Sequence, residues 1–114
     1  MKDWDAVVAA GLALPGVEHG TSYGRPALKK RGRVIAGTTA PDQGSFVLHV
    51  DAEEKQILLD TDPERFWQTD HYVGWPAVLV RYGPDRDDRV ALLLRRAWWD
   101  RATVAERKAA GDRP

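Results

Sequence analysis

The segment Ser45-Phe46-Val47-Leu48-His49-Val50 alternates without a break, and that alternation constrains the chain more than any other feature. Phe46, Leu48 and Val50 fall on one face, Ser45, Val47 and His49 on the other, the pattern of a strand with one buried side. Such a strand needs sheet partners and something apolar to cover it. Ala77 to Tyr82 (AVLVRY) reads as a second strong strand. Ala27 to Lys30 and Arg33 to Thr39 read as a pair joined by the tight connection Arg31-Gly32, of open turn type. Pro41-Asp42-Gln43-Gly44, Gly74-Trp75-Pro76 and Gly83-Pro84-Asp85 mark further turns, and Thr21 to Pro26 reads as one more turn-rich stretch.

Three segments carry the helical rhythm instead. Trp4, Val7, Val8, Leu12 and Leu14 follow Asp3 and Asp5, which supply caps, and Leu14-Pro15-Gly16 ends the run. Asp51 caps a short helix from Ala52 to Leu59, and Asp87 or Asp88 caps a last one built on Val90, Leu93, Leu94, Ala97 and Trp98. Asp62-Pro63-Glu64 repeats the start signal, but Phe66 to Thr69 can close as a strand. The order is helix, three strands, helix, two strands, helix. It predicts an α+β two-layer sandwich, an antiparallel sheet with helices on one face. Residues 1–114 read as a single domain, with about 106–114 as a flexible tail.

Composition excludes several classes. There is no cysteine, so disulfides and thiol chemistry are absent, in keeping with a reducing cytoplasm. No apolar run reaches the roughly 18 residues of a membrane span, and Asp3 and Asp5 argue against a secretory leader. Lys and Arg balance Asp and Glu at 17 each, yet the charge is divided along the chain. His19 to Pro41 holds five basic residues and no acid, while Asp42 to Leu94 holds eleven acids and five basic residues. That division makes a positive and a negative pole.

Catalytic signals are missing: no phosphate loop, dinucleotide fingerprint or nucleophile elbow. His19, His49 and His71 lack metal-ligand spacing. The chain is expected to be no enzyme and to carry no cofactor or metal. Two stretches remain. Arg25, Lys29, Lys30, Arg31 and Arg33 form a basic hairpin, which reads either as a wing along a phosphate backbone or as a solvated strand edge. Lys30 alternates onto the same face as Leu28, so the five charges do not share one face. His71, Tyr72 and Trp75 sit on a loop, either lining a pocket or clamping that loop to the sheet.

Four blocks in order resemble the MmcQ/YjbR-like family: Leu14 to Glu18, Tyr23 to Ala27, Asp62 to Phe66, and Thr69 to Arg81. The resemblance covers about Trp4 to Trp99. It implies a fold similar to secretion chaperones and a bacterial protein described as DNA-binding, with no catalytic residues to carry over. It also marks Tyr23, Arg25, Pro26, Lys29, His71, Tyr72 and Trp75 as a candidate shared surface. Two expectations follow. The first is sequence-tolerant DNA binding through the basic hairpin. The second is a protein- or small-ligand-binding module using the Tyr72/Trp75 loop and the sheet face, in which the chain pairs with a protein partner or with itself.

Overall fold

A computed structural model describes residues 1–114. Helix α1 (Trp4–Leu12) leads into β1 (Val17–Ser22), β2 (Arg25–Lys30), β3 (Arg33–Thr38) and β4 (Ser45–His49). Helix α2 (Ala52–Thr61), β5 (Phe66–Trp67), a 3-10 turn at Asp70–Tyr72 and β6 (Ala77–Arg81) follow, then α3 (Asp88–Arg101) and α4 (Val104–Ala110). The strands form one antiparallel sheet in the order β1-β2-β3-β4-β6-β5. The α+β sandwich predicted from the sequence is the fold observed.

The caps are those the sequence announced. Asp3, Asp51 and Asp87 accept from the backbone N–H of Ala6, Glu54 and Val90, at 2.9, 2.7 and 3.2 Å. Helix α1 packs on β1 and β2, α2 on β5 and β6, and α3 on β3. Between these layers lies one apolar core that includes Val7, Leu28, Ile35, Phe46, Leu48, Phe66, Val80 and Trp98. Gly11 allows α1 to approach closely, since a Cβ there would stand 2.4 Å from Leu28 Cδ1.

Two elements correct the sequence reading. The turn-rich stretch Thr21 to Pro26 begins inside an edge strand, β1, and ends inside β2, so the turn itself is only Tyr23-Gly24. Val17 is the sole buried residue of that strand, so its apolar pattern is too thin to see. Tyr23 and Gly24 take φ values of 52° and 76°, and Arg31 and Gly32 take 53° and 76°. Two successive hairpins therefore use the same left-handed two-residue loop. The second correction concerns the tail. Residues 104–110 form α4, closed by a capping box between Thr103 and Glu106. Arg113 then pairs with Asp100, and the Pro114 carbonyl accepts from Arg96.

Lys30 is the largest correction. It is 4 % exposed, and its ammonium donates to the Pro15 carbonyl at 2.9 Å and to Glu106 at 2.6 Å. It also lies 5.7 Å from the Trp98 ring centre. Facing the same side as Leu28, it points into the helix layer and takes no part in an outer basic surface.

The strand register slips by one between Leu28 and Lys29, leaving Ile35 without a partner. Ile35 and Ala36 are both buried as a result, the usual effect of a bulge. Past that point β3 and β4 part: their register covers only Ala36 to Thr38 against Leu48 to Phe46.

Candidate functional site

All the helices that pack on the sheet lie on one side of it, and the other side is open. One cross-strand row on that face runs Gly20, Ala27, Gly37, Val47, Leu79, Trp67 through all six strands. Side chains thus grow from nothing at one edge to an indole at the other, and the face is a trough with one high wall. Val47, Ala77 and Leu79 make a small apolar cluster in that wall, with Trp67 and Tyr72 packed on it. Trp67 donates from Nε1 to Ser45 Oγ at 2.9 Å, and the Arg81 guanidinium covers its ring at 4.9 Å.

A groove of about 830 Å3 crosses this face. Tyr23 comes to it from the first hairpin turn, Arg25 and Pro26 from the start of β2, and Thr38 from the end of β3. His71, Tyr72 and Trp75 come from the loop before β6, at the opposite end of the strands. The two stretches singled out in the sequence as rival surfaces line the same groove. No carboxylate lines it.

The other predicted residues divide. Arg33 also lines the groove. Lys29 is half-buried beside it, lying over Gly20, opposite Glu18 in register. Arg31 is exposed at the hairpin tip. Lys30 is elsewhere, as described. Of the aromatic rings, Tyr23 is 96 % and Trp75 58 % exposed, while Tyr72 is half-buried and meets His71 edge to face. The acids of the negative pole sit off the groove. Glu54 pairs with Arg96, Asp62 with Arg89, Asp87 with Arg65 and Asp100 with Arg113.

A buried lysine holds the aromatic loop in place. Lys55 on α2 donates from Nζ to the carbonyls of Tyr72 and Trp75, at 2.6 and 2.8 Å. Its burial lowers its pKa. The sequence offered no sign of this contact.

The sequence reading missed two groove residues, His49 and Arg101. His49 was legible in part, since alternation put it on the face of Val47. Arg101 was not, because it arrives from the last turn of α3. Burial, and then the positive charges of Arg101 and Arg33, push the His49 pKa down from 6.5 to about 4. The ring is neutral at pH 7. Its folded value lies below the unfolded one, so the unfolded chain binds the extra proton between those values. Stability therefore falls as pH drops from 6.5 towards 4. A denaturant midpoint that declines over that window, with the decline flattened in His49→Gln, is the expected result; an equal decline in the variant would remove His49 as its cause. Glu106 acts lower, since Lys30 and the Thr103 backbone hold its pKa down to about 2.

No three His, Asp or Glu side chains converge for a metal ion, and no helix is long and apolar enough to cross a membrane. An open antiparallel sheet with helices on one face and a basic, aromatic groove on the other defines a two-layer α+β domain with an open-face groove. The family profile described as YjbR matches residues 12–99, and the chain belongs to the YjbR family. No curated protein and no solved structure matches it.

Proposed function

We propose that this chain is a non-catalytic, cytoplasmic DNA-binding protein that takes a single strand along the open face of its sheet. The observation that carries the reading is the convergence of Arg25, Arg33, Tyr23, Tyr72 and Trp75 on one groove with no carboxylate. Arginines there meet phosphates, and exposed rings offer bases a face to stack on, which every base possesses. Arg31 at the tip and Lys29 at the margin extend the positive track. Base-edge donors and acceptors are few, so the reading is sequence-tolerant. A duplex keeps its bases inside and gains nothing from the rings.

Fluorescence anisotropy with labelled single-stranded and duplex DNA tests this. Four phosphate contacts on a single strand predict a log–log salt slope of about −3, hence about a 50-fold loss between roughly 50 and 200 mM salt. The single strand is expected to bind more tightly than the duplex, and Arg25→Gln with Arg33→Gln to weaken both. Absence of binding at low salt would overturn the reading and leave the groove to a protein or small-molecule partner.

A further inference from the structure

One end of the groove is more specialised than the rest. Arg33, His49 and Arg101 line it where β3 and β4 part. Arg101 donates from Nη1 to the Ala97 carbonyl at 2.9 Å, but its Nε is buried with no hydrogen-bond partner. The neighbouring carboxylate is already taken, because Arg113 binds both oxygens of Asp100 at 2.8 and 3.0 Å. Arg33 forms no ion pair either. Two guanidinium groups, Arg33 exposed and Arg101 half-buried, therefore share this corner with a neutral imidazole, and the one nearby carboxylate is already engaged by Arg113.

That arrangement costs free energy as it stands, since a buried donor without a partner loses its water and gains nothing. Like charges close together add to the cost: burial and then Arg33 lower the pKa of Arg101, and Asp100 only partly offsets them. An anion offsets both. We infer that the Arg33–His49–Arg101 end of the groove is a subsite for a phosphate monoester, its oxygens shared between the two guanidinium groups and a donor from the imidazole. A terminal monoester carries three free oxygens and close to two charges, which suits two forked cations and one ring N–H. An internal phosphodiester has two free oxygens and a single charge. The subsite shares the groove of the DNA-binding reading and rests on it for the source of the phosphate, though not for the anion site itself.

Inorganic phosphate is the first probe, followed by NMR at the His49 ring and the Gly37 amide. A saturable shift is expected, with the His49 ring titrating at higher pH because the bound dianion offsets the two arginines. Arg33→Gln, at an exposed position, keeps the fold and should weaken phosphate by roughly tenfold or more, as should Arg101→Gln. No saturable shift up to about 50 mM phosphate, in the millimolar range of weak anion sites, would overturn the subsite. So would equal shifts in both variants. Oligothymidylates with a 5′-phosphate or a 5′-hydroxyl, and thymidine 5′-monophosphate, then separate the sources. A preference for the phosphorylated strand over both others upholds the subsite and assigns it a strand end. A mononucleotide bound as tightly upholds it and assigns a free nucleotide. Strand binding indifferent to the 5′-phosphate, with no phosphate shift, overturns the subsite and leaves the DNA reading standing. Loss of all strand binding with the phosphate shift retained overturns only the DNA reading.

Discussion

Lys30→Ala is expected to lower stability by about 2–4 kcal/mol, while Lys29→Ala and Arg31→Ala stay within roughly 0.5 kcal/mol. The three residues are consecutive and equally charged in sequence. They differ in where the strand points them. Lys30 puts its ammonium between the Pro15 carbonyl and the Glu106 carboxylate, beside Trp98. Gly16 makes the room, since a Cβ there would lie 2.6 Å from Nζ. Removing the lysine takes the donor from Glu106 Oε2 and leaves the Pro15 carbonyl with the Trp98 indole N–H alone, and it frees α4 from the hairpin. Lys30→Met keeps the stem and removes only the charge, so it separates packing from pairing. Urea midpoints for the four variants check this. A wild-type midpoint for Lys30→Ala would mean that its ammonium is not held inside.

Gly37→Leu is expected to weaken DNA binding by at least about tenfold, worth about 1.4 kcal/mol, with little change in stability. Gly37 sits in the groove floor, between Ala27 and Val47 in register. A Cβ built there would meet its nearest atoms at 3.8 and 3.9 Å, ordinary contact distances. The strand can therefore carry a side chain, and strands lose nothing by exchanging glycine for a larger residue. What changes is the trough, which the leucine fills. Anisotropy and thermal melting on the same sample measure both halves. Unaltered affinity would place DNA outside the groove, for instance on the hairpin tip around Arg31.

The legibility of the fold followed the strength of local patterns. β4 and β6 were plain because β4 alternates over its five residues and β6 runs apolar over four before Arg81. The aspartate caps were plain because capping is a contact within one turn. β1 was not, since an edge strand with one buried residue has no need of an apolar pattern. α4 could have been found, because Thr103-Val-Ala-Glu106 is a capping box in the sequence itself. Lys30 also left a trace: alternation put it beside Leu28, but its charge argued for the outside, and the partner that reverses that argument lies 76 residues away.

By itself the sequence determined the α+β class, the tight turn at Arg31-Gly32, the helix starts and the two stretches worth watching. Those are properties of neighbours a few residues apart, where propensity, capping and alternation act. Only the tertiary structure decided that the two stretches share one groove, that Lys55 holds its aromatic loop, and that Arg101 joins Arg33 and His49 at its end. Each of those depends on sheet register and helix placement, which bring together residues far apart in the chain. Burial then sets the charge behaviour of each group, and burial is a property of the assembled layers.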